Sequence, residues 1–306
     1  MELKANELVG RYIANYGIAN GTEVTQEMVL RHWELERRLT RELLESNADN
    51  RWEVFERCYT NLYEEINWVN QPRTNGVVST RYQDWADAIG LPQKRIYEVG
   101  SGRGELITYL AKLGHRCLAT EVTRERGKKW AKDQLSNLEW GVTDGVHLER
   151  FAAESHFDVV ISDQVIEHLH PDDIVDHFQG AFHILKPGGR YIFSTPHASV
   201  GPCDISGIMG YDTPMGMHLK EYTYKELCSA AQSAGFSKLM AVFRVPGSIR
   251  TRLGWPKPRK SRLYLSYLLV VEELLMTLRP SKLRRMLART MRVALFSPSA
   301  FLVAEK

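Results

Sequence analysis

Two spacings of apolar residues divide the chain. Through the first 75 residues they recur every three or four positions. Met28, Leu35, Leu39 and Leu43 share one face of a run from Thr25 to Glu45, and Trp52, Phe55, Tyr59, Leu62 and Ile66 repeat the step. That is the period of amphipathic helices. Beyond them come short apolar runs of strand length: Ile96–Val99, Arg116–Glu121, Leu138–Thr143, Phe157–Ser162 and Tyr191–Pro196. Helix-like stretches separate them, Glu105–Ala111 after the first and Asp172–Leu185 before the fifth, the latter ending in a Lys186-Pro-Gly-Gly189 turn. Strands alternating with helices predict a parallel sheet covered on both faces, with ligands at the carboxyl ends of the strands.

The first of those ends carries a glycine turn. Glu98-Val-Gly-Ser-Gly-Arg-Gly104 spaces its glycines as Gly100-x-Gly102-x-Gly104, one residue short of the six-position dinucleotide fingerprint. Glycines supply positive φ and let backbone N–H groups approach a ligand, and the helix that follows points its positive end at the same place. The next two strands each end in a carboxylate. Glu121 lies 17 residues past Gly104, where it could accept from ribose hydroxyls, and Asp144 lies where it could take an amino proton from adenine.

From Arg95 to Phe236 the chain resembles the class I S-adenosylmethionine-dependent methyltransferases, nearest the branch of the ubiquinone-biosynthesis O-methyltransferase and related small-molecule enzymes. The residues that carry the resemblance are Glu98–Gly104, Glu121, Asp144, Phe157-Asp-Val-Val-Ile-Ser-Asp-Gln-Val-Ile-Glu-His-Leu169, Leu185-Lys-Pro-Gly-Gly189, Ser194-Thr-Pro196 and His218–Leu227. Phe301–Ala304 looks like the last strand of that fold, inserted antiparallel beside a strand near Leu239–Val242. The resemblance implies a Rossmann-like, seven-stranded α/β methyltransferase sheet formed by residues 76–245 with 293–306. Around it stand an N-terminal helical extension, 1–75, and a helical insertion before the last strand, 246–292.

The resemblance also implies the cofactor, S-adenosylmethionine, and its contacts. Gly100, Gly102 and Gly104 would approach the methionine and ribose portions, with Glu98 fixing the turn and the amino group. Glu121 would take the ribose hydroxyls and Asp144 the adenine edge, with Ser101, Val122 and Gly145 beside them. Asp163 and Gln164 would stand at the methyl end, Asp163 departing from the small or neutral residue common there. Arg73, Arg81 and Tyr82 are candidates for the cofactor's covered edge. The extension itself reads as packing, as a substrate lid or as a dimerisation arm.

Composition and charge add a second region. The 306 residues are 43% hydrophobic and 25% charged, enough for a sizeable core. There is no apolar stretch long enough for an ordinary transmembrane helix and no signal-peptide pattern at Met1-Glu2-Leu3-Lys4. Cys58, Cys117, Cys203 and Cys228 show neither metal-ligand spacing nor a disulfide pattern, in keeping with a cytoplasmic protein. Residues 246–292 hold 12 Lys and Arg against two Glu, a net of +10 in a chain of +3, so the remainder sums to −7. Leu263–Leu278 is apolar at 12 of 16 positions, broken by Glu272-Glu273, and a second helix follows with Leu283, Met286, Leu287 and Met291 among Arg284, Arg285, Arg289 and Arg292. An apolar helix beside a basic amphipathic one suits an anionic membrane surface or a polyanionic partner. The alternative is a cap packed on the N-terminal helices.

A hydroxyl nucleophile benefits from a base, and the candidates are His168, His170, His197 and His218, with His168 favoured beside Glu167. The spacing indicates no metal site. Three functions are compatible with these features: O-methylation of a small-molecule, sugar or lipid-linked glycan acceptor, RNA methylation through the basic insertion, or S-adenosylmethionine binding without catalysis. Ser162-Asp-Gln-Val165 lacks the Asn/Asp-Pro-Pro-aromatic motif of base amino-group methylation, which counts against RNA.

Overall fold

The computed structural model describes residues 5–18, 22–66, 68–69, 80–123, 135–244, 257–278, 281–291, 296–297 and 299–306. Three helices come first: α1 (Ala5–Tyr16), α2 (Gln26–Glu45) and α3 (Arg51–Glu65). The sheet region runs α4 (Thr80–Ile89), β1 (Arg95–Val99), α5 (Glu105–Lys112), β2 (Arg116–Glu121), β3 (Leu138–Val142), β4 (Phe157–Asp163), α6 (Ile174–Ile184), β5 (Leu185–Pro196), α7 (Ile205–Ile208), α8 (Tyr224–Ser233) and β6 (Lys238–Phe243). A short β7 (Arg259–Ser261), α9 (Arg262–Met276), α10 (Ser281–Thr290) and β8 (Ser299–Glu305) complete the chain.

The sheet order is β3-β2-β1-β4-β5-β8-β6-β7. The first five strands are parallel, and β8 enters antiparallel between β5 and β6, with Ile192 opposite Val303 and Met240 opposite the same residue on the other side. The strand expected at Phe301–Ala304 therefore lies where the resemblance implied. The sheet has one strand more than seven: β7 pairs antiparallel with β6 at the outer edge. It is built from Arg259-Lys260-Ser261, too polar to read as a strand, and charged side chains are a common way to protect an open edge. The Lys-Pro-Gly-Gly turn is drawn into β5, whose pairing with β4 shifts register between Phe157 and Val159.

Alternation along each strand feeds two cores on opposite faces. Val159 and Ile161 join Trp85, Ile107 and Leu110 beneath α4 and α5, while Val160 and Tyr191 join Phe178, Leu227 and Leu268 beneath α6, α8 and α9. The insertion helix α9 thus packs into the main core rather than on the N-terminal helices. Those helices instead close over residues 205–219: Leu39, Leu43, Phe55 and Leu62 pack with Met217 and Leu219, and Tyr12 and Trp33 with Ile205 and Ile208. The result is a roof over the carboxyl ends of β1, β2 and β4.

Candidate active site

Between that roof and the strand ends lies a cavity of about 550 Å³. It collects Glu98, Gly100, Ser101 and Gly102 from the first turn, Glu121 and Val122 after β2, Asp144 and Gly145 after β3, Asp163, Gln164 and His168 after β4, and His218. The residues from the ends of β1, β2, β3 and β4 meet here because a parallel sheet brings its strand ends to one edge.

The glycine turn has the backbone its sequence requires. Gly100, Gly102 and Gly104 all take positive φ, at 66°, 57° and 71°. A Cβ on Gly102 would meet nothing within 4 Å, so that space is open to a ligand, whereas one on Gly104 would strike the Trp140 ring. Gly104 is therefore a packing position at the start of α5 and not part of the cavity wall. Glu121 folds back on the turn, its Oε1 accepting the Gly102 N–H at 2.6 Å and its Oε2 the Val122 N–H. Burial still pushes its carboxyl up to about 7, against the pull of those two N–H groups. Glu98 lies deeper. Burial pushes it up to about 8, a Ser101 hydrogen bond opposes the rise, and Asp163 and Glu121 add to it. Its Oε2 is buried without a hydrogen-bond partner, which is costly unless a ligand supplies one.

Asp144 uses Oδ1 to accept the N–H groups of Val146 and His147, both at 2.8 Å, and so holds the turn after β3. Asp163 accepts from Ser194 Oγ at 2.5 Å. Gln164 stands at φ 60°. Its N–H donates to the Ser194 carbonyl at 2.8 Å and its side chain to Ser194 Oγ at 3.0 Å. A non-glycine residue at positive φ is held there by its surroundings, and such strain gathers at functional sites.

Of the three histidines on the cavity, His168 and His218 stand beside each other and differ in chemistry. His168 Nδ1 is 2.9 Å from the Met217 carbonyl, which can only accept, so Nδ1 carries a proton. His218 Nδ1 is 2.8 Å from Glu221 Oε1. Burial lowers the His218 pKa, but the Glu221 hydrogen bond and the charges of Glu167, Asp204 and Glu221 outweigh it and carry the ring up to about 9. His218 is an imidazolium at neutral pH, a poor base and a fixed positive charge. Its ring stands edge-on to His168, with centroids 4.9 Å apart.

Two expected bases are elsewhere. His197 is fully buried outside the cavity wall, its Nδ1 bonded to Ser199 and its Nε2 2.5 Å from Glu272 of α9. His170 is buried between the Leu44 carbonyl and the Asp172 N–H and also lies off the wall. Tyr82 lines the cavity and donates to Glu105 at 2.6 Å. Arg73 and the side chain of Arg81 lie outside the described residues.

The structure also brings in residues that sequence reading passed over. His32 and Glu36 reach the cavity from α2, Tyr16 from α1, and Asp204, Gly216 and Met217 from the segment under the roof. The signal was present: His32, Glu36 and Thr40 recur every four residues on the buried face of α2 among Val29, Trp33, Leu35, Leu39 and Leu43. Glu167, His168 and His218 form a further grouping, each offering a ligand atom within 4.8 Å of the others, a set that could hold a cation and that sequence spacing did not reveal.

The fold is similar to that of a SAM dependent methyltransferase from Archaeoglobus fulgidus, at 17% identity over 81% of this chain and 99% of that one, with a TM-score of 0.50. It is also similar to Burkholderia thailandensis 1,6-didemethyltoxoflavin-N1-methyltransferase, solved with 1,6-didemethyltoxoflavin and S-adenosylhomocysteine bound, at 15% identity over 85% and 91% of the two chains and a TM-score of 0.53. At such identities the likeness speaks for the fold alone. No curated protein matches the chain in sequence. Residues 75–240, more than half of the chain, match the family described as a methyltransferase domain. The chain belongs to that methyltransferase family.

Proposed function

We propose that the cavity binds S-adenosylmethionine along its Glu98, Glu121 and Asp144 wall and that the methyl group passes to a hydroxyl of a small acceptor beneath the N-terminal helices. The observation that carries this reading is the unpartnered, buried Glu98 Oε2 beside a glycine turn with open space at Gly102. A carboxylate in that position awaits a cation, and the amino group of the cofactor is one. Glu121 would exchange backbone N–H groups for ribose hydroxyls, and Asp144 Oδ2 would take an amino proton. The bound cofactor supplies an already activated methyl on a sulfonium. The chain's task is to orient the acceptor, keep water out and remove a proton. His168, whose Nδ1–H is fixed on the Met217 carbonyl so that Nε2 is the nitrogen that would accept a proton, is the group suited to that removal, and His218 is better suited to fixing charge beside it.

The order of motifs from Glu98 to Leu169 supports the neighbourhood of the ubiquinone-biosynthesis O-methyltransferase. RNA fits less well. Among the described residues, the cavity is lined by seven acidic side chains against two cations, Arg103 and the His218 imidazolium, a balance that disfavours phosphates. A second feature supports an acceptor at a membrane surface: α9 leaves Leu263, Tyr267, Val270 and Leu274 exposed along one side, in the basic insertion. Incubating the protein with cofactor and pools of hydroxyl-bearing acceptors, with and without EDTA, tests the reading. A mass gain of one methyl, unaffected by the chelator, is expected. No gain in any hydroxyl pool, or gain only on ring nitrogens, removes O-methylation, and loss with EDTA assigns Glu167, His168 and His218 to a cation instead.

A further inference from the structure

The roof carries a second buried carboxylate that the cofactor reading does not use. Glu36 is 6% exposed and lines the same cavity, and its Oε2 is buried with no hydrogen-bond partner. Its other oxygen ends a chain of hydrogen bonds: Trp68 Nε1 lies 3.1 Å from the Tyr12 hydroxyl, that hydroxyl 2.7 Å from His32 Nδ1, and His32 Nε2 2.8 Å from Glu36 Oε1. An indole N–H only donates and a carboxylate only accepts. Trp68 therefore donates to Tyr12 and His32 Nε2 donates to Glu36, while the Tyr12 hydroxyl and His32 Nδ1 share the hydrogen bond between them. Every member is satisfied except Glu36 Oε2, which the chain holds rigidly in place.

A neighbouring glycine packs closely against Glu36. A Cβ on Gly216 would stand 2.5 Å from Ile205 Cγ2, 2.7 Å from Glu36 Oε2 and 3.3 Å from Asp204 Oδ2, so no side chain fits at this position and both carboxylates lie against the glycine. Asp204 is already committed to the N–H groups of Met215 and Gly216. Glu36 Oε2 is the acceptor still to be filled. Met217, the next residue, joins this place to the expected base: its N–H donates to Thr40 Oγ1 of α2 at 2.8 Å, and its carbonyl holds His168.

We infer that Glu36 anchors a protonated amine of the acceptor, so that the substrate of this enzyme is an amine-bearing hydroxy compound, such as an amino sugar or an aminoalkyl phenol, presented with its hydroxyl toward His168. The inference rests on the methyltransferase reading of the same cavity. A buried carboxylate without a partner is best matched by a cation that can donate to it. The cavity's excess of carboxylates and its Tyr16, Tyr59 and Tyr63 rings favour the same charge.

Calorimetry with matched amine and alcohol pairs tests it, tyramine against tyrosol and glucosamine against glucose, on protein saturated with S-adenosylhomocysteine. In at least one pair the amine should bind about tenfold more tightly than its neutral partner. Glu36→Gln should abolish that preference, and Glu36→Asp, with its carboxylate drawn back by one methylene, should fall between the two. S-adenosylhomocysteine should bind all three proteins alike. Equal affinities within every pair for the wild type, including no binding by either partner, overturn the inference, as does a preference that survives in Glu36→Gln. Failure of S-adenosylhomocysteine to bind the wild type instead removes the cofactor reading beneath it.

Discussion

At the scale of single residues, the protonation of Glu98 sets a measurable sign. Burial, opposed by Ser101 and helped by Asp163 and Glu121, raises its carboxyl to about 8, so near neutrality without ligand it holds its proton. An ammonium binds the ionised form, and binding must then release that proton. Affinity for S-adenosylhomocysteine should therefore rise as pH increases from 6 to 8, by up to about tenfold per pH unit, and level off above. Glu121, raised by burial to about 7, adds to the slope in the same direction at its lower end. Calorimetry across that range should show proton release in the wild type and a flatter profile in Glu98→Gln. A wild-type affinity independent of pH would remove the ammonium from this carboxylate. His168 carries a different expectation. His168→Ala should lower kcat by about 10²–10⁴ with cofactor affinity unchanged, measured by single-turnover methyl transfer. Full turnover in that variant would leave alignment alone to drive the reaction.

Elements are joined by pairs that no local pattern records. Glu272 interrupts the apolar run of α9 and reads in sequence as a break. In the fold it is buried, lies against His197 Nε2 at the end of β5 and accepts the N–H groups of Tyr224 and Lys225 at the start of α8. One carboxylate thus caps a helix and fixes the insertion to the sheet. Glu272→Ala takes the carboxylate from His197 Nε2 and from two helix N–H groups, leaving His197 only Ser199 and a long contact with the Tyr224 N–H, and should cost roughly 3–5 kcal/mol in chemical denaturation. S-adenosylhomocysteine affinity should be preserved under native conditions, because the pair lies off the cavity wall; a stability within about 0.5 kcal/mol of wild type would dismiss the clamp. The same contrast explains what the sequence made legible. The glycine turn, Glu121 and Asp144 could be placed because each belongs to a strand end whose chemistry is local. His197 could be mistaken for a base because its partner lies 75 residues away in a different helix. His32 and Glu36 were hidden for a related reason: their step of four marks a helix face, but only the tertiary fold shows that this face roofs a cavity.

Over the whole molecule, the basic insertion divides its charge between two uses. Arg285 is only 16% exposed at its side chain and pairs with Asp212 at 2.5 Å, and Arg284 Nε is buried. Arg285 is thereby tied to the protein, while Arg284 is half-buried and its Nε has no hydrogen-bond partner. The outward side of α10 instead offers Lys282, Leu283, Met286 and Arg289. On α9, Leu263 is 85% exposed, Leu274 65% and Val270 59%, apolar side chains that gain nothing from water. Among the described residues, no helix is long and apolar enough to cross a bilayer, so any membrane contact through these helices would lie along its surface. Each basic residue near an anionic surface contributes on the order of 1 kcal/mol, and each inserted Leu or Val about 1.5–3 kcal/mol. If this face rests on a membrane, Leu263→Asp with Val270→Asp and Leu274→Asp should weaken cosedimentation with anionic vesicles by at least about 100-fold, the loss of some 3 kcal/mol or more. Lys282→Glu with Arg289→Glu should produce a smaller loss at low salt, and in 1 M salt its binding should match that of the wild type, since screening at that strength is nearly complete. Both variants keep the cavity wall intact, and S-adenosylhomocysteine binding should confirm it. Wild-type protein that fails to sediment with either anionic or neutral vesicles would return the stripe to the protein surface, and salt-sensitive retention on RNA by the same Lys282 and Arg289 would give the insertion a polyanionic partner instead.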